Sequence, residues 1–334
     1  MIGEAGAVSM HQKAATILQL FRQQGQFVSG EQLSRELGVS RTAVWKHISA
    51  LRAAGYGVEA LPSRGYRLLS SPDTLSTEEI SVQLDSAIIG RHLVSLALTT
   101  STNAEAFRLA EDGAVEGTVI TADEQNKGKG RLGRTWSSPP GANLYCSVIL
   151  RPHIKPFEAP QLTFLSAVAV ARAIEQAAGL EPEIKWPNDV LIGGRKVAGL
   201  LNEMSAETDG INFVILGIGV NLNMTADQFP DNLRHPATSL YIETGAKVGR
   251  ARFTALLLNE LDRLYAGFLD GGFAQVRREW EERCNAGGRE VVVCNPGCAD
   301  IRGQFAGIDS DGALLVRSRD GAVERILSGD VRVL

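Results

Sequence analysis

In the first part of the chain, hydrophobic residues recur every three or four positions, which is the period of an amphipathic helix. The first run lies within 11–26 and consists of Ala15, Ile17, Leu18, Leu20 and Phe21. Ser29 can cap a second helix over 31–37, and Ser40 can cap a third over 41–54. A glycine that can end the helix follows each of these segments. Helix, tight glycine turn and helix are the spacing of a helix-turn-helix.

The predicted helix over 41–54 has two different faces. Its apolar face, which packs, consists of Val44, Ile48 and Leu51. The other face is polar, and two strand-like segments joined by a basic turn follow the helix, so we predict a winged helix-turn-helix over 1–70. Its predicted DNA-binding residues are Arg41, Thr42, Trp45, Lys46, Ser49 and Arg64. The alternative is a small helical packing domain with an ordinary solvated basic face.

The remainder of the chain changes character after a polar, breaker-rich linker at 70–76. Over 77–285, strand-like segments alternate with an Ala-rich helix near 159–178 and further helices near 251–283. Several strands follow one another with only short turns, so we expect a central α+β domain with a mainly antiparallel sheet. Short strands punctuated by Gly and Asp over 287–334 predict a C-terminal SH3-like β-barrel. The expected fold is multidomain α+β.

Charge is distributed unevenly between these predicted domains. The 334 residues carry a net charge of −4, but residues 1–72 hold eight Lys or Arg against four Asp or Glu, and the remainder holds 26 against 34. A segment near +4 joined to a body near −8 is expected when one module meets phosphate and the rest has another task. This asymmetry favours a nucleic-acid partner for the first domain.

Neither membrane insertion nor a disulfide framework is indicated. No apolar run approaches the roughly 18 to 20 residues that span a bilayer, and the start of the chain lacks a basic stretch leading into a hydrophobic one. The cysteines are few and unevenly spaced: Cys146, Cys284, Cys294 and Cys298. We therefore expect a cytoplasmic protein with reduced thiols and no membrane partner.

The segment 128–133 matches G-x-G-x-x-G after a predicted strand, so a dinucleotide-binding turn must be considered. That turn has to open a helix, whereas here Pro139 and Pro140 follow soon after. What remains is a flexible loop between glycines, suited to closing on an anionic ligand such as a nucleotide phosphate. Its cations are Lys127, Lys129, Arg131 and Arg134. A solvated surface loop is the alternative.

A second cluster lies at 185–189, a strand end that runs into a turn carrying Asp189. The next strand begins at Arg195, and simple alternation places Lys196, Ala198 and Leu200 on one face. A lysine beside small residues has room for a ligand, and its charge can bind a carboxylate or stabilise one that is reacting. Ordinary hairpin chemistry explains the same residues equally well.

Metal and hydrolase chemistry find no support in the spacing of cysteines and histidines. Cys294 and Cys298, with Cys284 ten residues before Cys294, have the wrong spacing for a zinc ribbon, and no histidine follows them. Neither H-E-x-x-H nor G-x-S-x-G occurs. We expect no protein-bound metal site.

Five motifs follow the predicted winged helix-turn-helix in order. They occupy 100–103, 125–136, 185–189, 195–199 and 217–223. Over nearly the whole chain, this arrangement resembles the bifunctional biotin protein ligases that also act as biotin operon repressors. The resemblance implies an enzyme, a biotin–[acetyl-CoA-carboxylase] ligase, that joins biotin and ATP into biotinyl-5'-AMP with release of pyrophosphate. It then transfers biotin to one lysine of a carrier protein.

The resemblance also implies roles for individual residues. The implied biotin-binding residues are Ser101, Thr102, Asn103, Gln125, Lys129, Gly130, Arg131 and Lys196. The implied ATP- or adenylate-binding residues are Lys129, Arg131, Trp136, Asn188 and Asn221. The implied catalytic residues are Lys196, Asp189 and Arg131. This chain differs from the family pattern at Lys129, where arginine is more usual, and at Leu132, where a basic residue can occur.

The implied partners are the biotin carboxyl carrier protein of acetyl-CoA carboxylase, operator DNA and a second copy of the chain. Biotin and ATP are the implied substrates, and Mg²⁺ is expected with ATP. Two other functions stay open. One is a biotin-sensing transcription factor without turnover, and the other is a lipoate-ligase-like acyl transferase.

Overall fold

A computed structural model of the protein describes residues 3–207, 210–294 and 299–334. The chain forms two compact units, Met1–Leu84 and Asp85–Leu334. No helix in the described ranges is both long and apolar enough to span a membrane.

The first unit begins with a three-helix array, a hairpin and a short fourth helix. Its elements are α1 (Gly3–Gln24), α2 (Gly30–Leu37), α3 (Arg41–Ala53), β1 (Gly57–Leu61), β2 (Gly65–Ser70) and α4 (Thr77–Ser81). The predicted caps are confirmed: Ser29 Oγ accepts from the N–H of Gln32 at 3.0 Å, and Ser40 Oγ accepts from that of Ala43 at 3.2 Å. Because these caps are local, the helix boundaries follow closely from the sequence.

The core of this unit is built by the predicted apolar stripes. Ile17 and Leu18 of α1 and Ile48 of α3 are fully buried in one cluster. β1 and β2 pair antiparallel, as predicted for a wing. The central domain was expected to begin at residue 77, but helix α4, which was not predicted, packs in the first unit, where Glu79 is ion-paired with Arg22 of α1 at 2.5 Å.

The second unit contains a mixed sheet, covering helices and a C-terminal sheet. In chain order its elements are β3 (His92–Thr99), α5 (Thr102–Glu111), β4 (Thr118–Gln125), β5 (Leu144–Leu150), α6 (Gln161–Ala178), β6 (Glu183–Lys185), β7 (Asp189–Ile192), β8 (Arg195–Glu207), β9 (Gly210–Val220), α7 (Leu240–Thr244), α8 (Arg250–Gly271), α9 (Ala274–Arg283), β10 (Glu290–Cys294), β11 (Ile301–Ile308), β12 (Leu314–Arg317), β13 (Val323–Ile326) and β14 (Asp330–Val333).

The central sheet has the order β3-β4-β5-β9-β8-β7-β6 among the described strands. Every pair is antiparallel except β3 with β4, so the predicted mainly antiparallel α+β fold is confirmed. The parallel pair needs a crossover, which α5 supplies. Helix α5 was not predicted from the sequence, and its N-cap Ser101 makes no capping hydrogen bond.

The last strands form a separate antiparallel sheet of order β13-β12-β11-β10-β14. This confirms the predicted small C-terminal β-structure. Trp186, just after β6, donates from Nε1 to the carbonyl of Gly312 at 3.2 Å. The 312 position has φ +81°, and a Cβ there would lie 2.3 Å from the ring of Phe164 on α6. The C-terminal sheet is therefore packed closely against the central layer.

Candidate active site

One cavity of the second unit gathers most of the residues singled out in the sequence. Those that line it are Ser101, Thr102, Asn103, Gln125, Lys129, Gly130, Arg131, Trp136, Asn188, Asp189 and Lys196. They come from loops and strands separated by almost a hundred residues, so the sheet topology brings them together. Five cations and two carboxylates line this cavity, which gives it an excess of positive charge.

A neutral, hydrogen-bonded end of the cavity lies where β3 passes into α5. Gln125 Oε1 accepts from the backbone N–H of Thr102 at 2.8 Å. Ser147 Oγ on β5 lies 2.8 Å from Thr102 Oγ1 and donates to Asn103 Oδ1 at 2.7 Å. Asn103 Nδ2 donates to Glu203 at 2.7 Å. These bonds fix hydroxyl and amide groups in place, and Ser101, which lines the same cavity, makes no side-chain cap bond to α5.

Glycines on β8 and β9 make room for this cavity. A Cβ at 217 would lie 2.2 Å from Asn103 Oδ1, and one at 219 would lie 2.7 Å from the indole ring of Trp136. Trp136 Nε1 is buried and has no hydrogen-bond partner within the described residues. A buried N–H without a partner is costly, so this donor is suited to a bound polar atom.

The cationic end of the cavity is centred on Lys196. Its Nζ lies 2.6 Å from Asp189 Oδ1 and 5.3 Å from the centroid of the Trp136 ring. The two side chains come from adjacent strands, β7 and β8, joined by a tight glycine turn. Such an ion pair offers a cation that can bind a carboxylate and a carboxylate that can bind an amine.

The prediction that Lys196 lies on the same face of β8 as Ala198 is wrong. The register between β7 and β8 shifts, so that Ala198 lies opposite Val190 but Lys196 lies opposite Leu191. The extra residue is a β-bulge, which reverses the alternation. Lys196 therefore lies beside Gly199, where a Cβ would be 3.1 Å from Nζ, and not on the face of Ala198.

The glycine loop folds back on itself at the cavity. The N–H of Gly130 donates to the carbonyl of Arg134 at 2.7 Å, and Leu132 has φ +56°. Arg131 Nη1 donates to Asn188 Oδ1 at 3.2 Å. Burial lowers the pKa of Arg131, although the nearby Asp330 and Asp189 oppose this effect. Arg131 thus reaches the cavity, whereas the neighbouring Leu132 side chain is 70% exposed.

Sequence reasoning missed the role of Lys185 and of Asp330, both of which line the cavity. Burial lowers the pKa of Lys185, and the charges of Asp189 and Asp330 oppose that shift. Asp330 Oδ2 accepts from Arg134 Nη2 and contacts Arg234 Nη1, each at 2.8 Å. Lys185 stood inside a recognised motif, but nothing in the sequence around Asp330 indicated a site.

Asn221 does not line the cavity. It is 4% exposed, its Oδ1 accepts from Asn143 at 3.3 Å, and its Nδ2 donates to the carbonyl of Thr238 at 3.1 Å. Its amide is satisfied by the protein, so the role inferred for it in ATP binding is not supported by this geometry. Pairing with neighbouring loops explains why an asparagine stands at this strand end.

Cysteines and acidic clusters show no metal site in the described ranges, where no group of three or more suitable ligands occurs. Cys284 and Cys294 are free thiols. Cys298 lies outside the described residues, so the expectation for the Cys294–Cys298 pair stays a prediction.

The predicted DNA-binding residues share the exposed side of the first unit's α3 and wing. Arg41, Thr42, Trp45, Lys46 and Arg64 are exposed, and Ser49 is half-buried. Trp45 is 57% exposed, so its indole ring is accessible from solvent. Arg41 is ion-paired with Glu31 of α2 at 3.0 Å.

The sequence of the chain is similar to those of known proteins. Family models match at 95–221 (biotin/lipoate A/B protein ligase family), 13–67 (HTH domain) and 286–334 (biotin protein ligase C terminal domain). Bifunctional ligase/repressor BirA of Bacillus spizizenii is 42% identical over 318 residues, 95% of this chain and 97% of that protein. The Escherichia coli protein of the same name is 33% identical over 92% and 93% of the two chains.

Among solved structures, the biotin protein ligase from Aquifex aeolicus in complex with biotin and ATP is similar, with a TM-score of 0.63 and 31% identity. It covers 73% of this chain and 99% of its own. Because identity to the Bacillus protein extends over both compact units, the chain belongs to the family of bifunctional biotin ligases and repressors.

Proposed function

We propose that the protein activates biotin with ATP and transfers it to a lysine of the biotin carboxyl carrier protein of acetyl-CoA carboxylase. The observation that carries this proposal is a single cavity with a neutral hydrogen-bonding end and a cationic end. A neutral ureido ring suits the first, and a carboxylate together with nucleotide phosphates suits the second. The Lys196–Asp189 pair lies at the cationic end, where the reacting groups would meet.

In the first step, a carboxylate oxygen of biotin attacks the α-phosphorus of ATP, and the bond to pyrophosphate breaks. Two anions must approach each other, which costs energy unless positive charge lies between them. Lys196 supplies that charge to the carboxylate, and Arg131 and Lys129 approach from the loop. The fixed ammonium also stabilises the charge that develops in the transition state.

In the second step, the amine of the carrier lysine attacks the acyl carbonyl, an amide bond forms, and AMP leaves. The amine must be neutral to attack, so it loses a proton before or during the step. Asp189 accepts a hydrogen bond from the amine and orients it or takes its proton, while Lys196 stays on the acyl phosphate oxygens. Trp136 and Asn188 line the same space and can hold the nucleotide.

Mg²⁺ is proposed to enter with ATP. Magnesium keeps several water ligands and is usually held by substrate phosphates and one or two carboxylates. The two carboxylates that line the cavity, Asp189 and Asp330, are both ion-paired with cations. The phosphates of ATP and water would therefore supply most of the ligands of the ion.

We further propose that the first unit binds operator DNA and that two copies act together. A twofold dimer would present two α3 helices to two half-sites. Biotinyl-5'-AMP would then act as the signal for repression of biotin synthesis. Since the proposed reactions consume ATP, we place the protein in the cytoplasm.

Exchange of labelled pyrophosphate into ATP tests the proposed activity. Exchange that depends on biotin supports adenylation, and its absence in protein that still binds biotin would favour a sensor without turnover. Lipoate offered in place of biotin tests the alternative acyl transferase. Exchange with lipoate that exceeds exchange with biotin would overturn the biotin assignment.

Arg131→Gly is expected to leave the fold intact and to release biotinyl-5'-AMP faster than the wild type does. Glycine removes the guanidinium that reaches Asn188 from a loop already built on glycines. The freed adenylate should label lysines of bystander proteins indiscriminately. Equal retention times for labelled adenylate in the variant and the wild type would exclude Arg131 as the closing residue.

Asp330→Asn is expected to speed release of the adenylate by a few fold. The substitution removes the charge that bridges Arg134 in the glycine loop and Arg234. Both arginines are well exposed, so the loss is limited to about 1 kcal/mol, or roughly fivefold. Rapid dilution of enzyme loaded with labelled adenylate measures the rate. Asp320→Asn, an exposed position elsewhere in the C-terminal sheet region, is the control and should release the adenylate at the wild-type rate.

A further inference from the structure

An aromatic ring in the first unit lies against two arginines of the wing. Phe27 is in the connection between α1 and α2. The guanidinium carbon of Arg64 lies 4.6 Å from the ring centroid, and that of Arg67 lies 4.8 Å away. Both distances are within the range of cation–π attraction. The ring therefore holds the wing's two cations together.

The two arginines differ in what neutralises them. Arg67 donates from Nη2 and Nε to Glu59 Oε2, at 2.6 and 3.2 Å, across the hairpin. Arg64, at the hairpin tip, is exposed and has no ion-pair partner within the described residues. Its positive charge is consequently available to an external anion, whereas that of Arg67 is already matched.

Backbone pairing fixes Phe27 relative to the wing independently of the stacking. The neighbouring Val28 donates to the carbonyl of Tyr66 at 2.8 Å and accepts from its N–H at 2.9 Å. Gly65 has φ +104°, and a Cβ there would lie 2.1 Å from the carbonyl oxygen of Val28. The backbone around position 27 and the hairpin tip are thus held together by bonds that do not involve the Phe27 side chain.

We propose that Phe27 is a positioning residue that holds the Arg64 guanidinium ready to bind a DNA backbone phosphate. A guanidinium stacked on a ring leaves its N–H edge free for phosphate oxygens. A free arginine side chain loses rotamer freedom on binding, and a stacked one loses less. This inference rests on the proposed DNA binding and assigns a role to a residue outside the recognition helix.

The test uses the full-length chain and a mixed-sequence DNA duplex, because phosphate contacts supply most non-specific binding. Affinity is measured over a range of KCl concentrations for the wild type, Phe27→Leu, Phe27→Trp, Arg64→Ala and the double variant Phe27→Leu/Arg64→Ala. Phe157→Leu is the matched control, since Phe157 lies under Lys155 at 5.7 Å in the second unit. Thermal unfolding of each variant checks that the first unit stays folded.

Phe27→Leu should weaken binding by about two- to fivefold and leave the salt slope unchanged, since the charge remains. Arg64→Ala should weaken binding and lower the slope by about one. The double variant should match Arg64→Ala, and Phe27→Trp should bind as the wild type does. Phe157→Leu should change nothing.

Additive losses in the double variant, or wild-type affinity in Phe27→Leu, would overturn the positioning role while leaving DNA binding intact. A loss of slope in Phe27→Leu would likewise overturn it, because that outcome means the wing itself has been displaced. Failure of the wild type to bind the duplex at low salt is a different result. It would remove the proposed DNA binding, and this inference with it.

Discussion

Replacing Lys196 with alanine is expected to reduce biotin-dependent pyrophosphate exchange by about a hundredfold or more. The ammonium lies 2.6 Å from Asp189 at the cationic end of the cavity, where the carboxylate of biotin would meet the α-phosphate. Alanine removes the charge that makes this approach of two anions favourable. The loss should fall mainly on the rate of adenylation, with a smaller effect on biotin binding at the neutral end.

The same variant should unfold within a few degrees of the wild type. The Lys196 side chain is 25% exposed, and Asp189 keeps Lys185 and Arg131 as neighbouring cations. Lys155→Ala is the control, because this lysine lies on an exposed segment away from the cavity. Near-normal exchange by Lys196→Ala would remove Lys196 from the reaction, and a large drop in melting temperature would assign it a structural role.

The winged helix-turn-helix was the part of the fold best predicted from sequence. Its helices begin at Ser29 and Ser40, whose side chains cap backbone N–H groups three residues later. A capping bond joins residues three positions apart, so the start of a helix can be predicted from a single sequence. Helix α5 was missed, and in the structure its N-cap Ser101 makes no capping bond, while Thr102 and Asn103 bond to Gln125 and to the carbonyl of Leu201. The crossover it makes depends on strands that meet only in the folded sheet.

Most residues of the motifs singled out in the sequence line one cavity, but their geometry depends on features that periodicity does not carry. A single extra residue between Lys196 and Ala198 reverses the expected alternation on β8. Asn221 occurs in a family motif, yet its amide is used up by Asn143 and Thr238. Hydrogen-bond satisfaction depends on neighbours distant in sequence, so only the structure separates a packing amide from one that faces a ligand.

Asp330 is a cavity residue that the sequence did not indicate. It occurs in a short strand of the C-terminal sheet, far along the chain from the glycine loop, and resembles an ordinary turn-proximal acid. In the folded unit its carboxylate contacts both Arg134 and Arg234. Burial alone would raise the pKa of Asp330, but Arg134 and the charges of Arg234 and Lys185 hold it below its ordinary value. The carboxylate stays charged at neutral pH and is lost as a contact only as pH falls through that lowered pKa.

Removing the first compact unit is expected to abolish DNA binding while leaving adenylation largely intact. The variant should begin at Asp85, because α4 packs with α1 and a cut after residue 72 would strand it. The cavity and all its lining residues belong to the second unit. Pyrophosphate exchange and DNA binding by the truncated and full-length proteins measure the two activities separately.

In the full-length protein, biotin plus ATP should increase the mass seen in sedimentation and tighten binding to operator DNA selected from random duplexes. A single winged helix near +4 makes few phosphate contacts, so its binding should be weak and strongly salt-dependent, and a dimer doubles those contacts. If the glycine loop is ordered at lower cost in the dimer, adenylate and dimer stabilise each other, typically by about 5- to 150-fold.

Because this coupling is reciprocal, operator DNA should slow the release of labelled adenylate from the full-length protein but not from the variant that begins at Asp85. Adenylate release that is equal with and without DNA would mean that DNA binding by the first unit and adenylate binding by the second are not energetically coupled. A full-length protein whose DNA affinity ignores biotin and ATP, or a truncated one that still binds the operator, would contradict the coupling directly. The pair of measurements therefore separates a ligase that carries a DNA-binding domain from a repressor controlled by its own reaction intermediate.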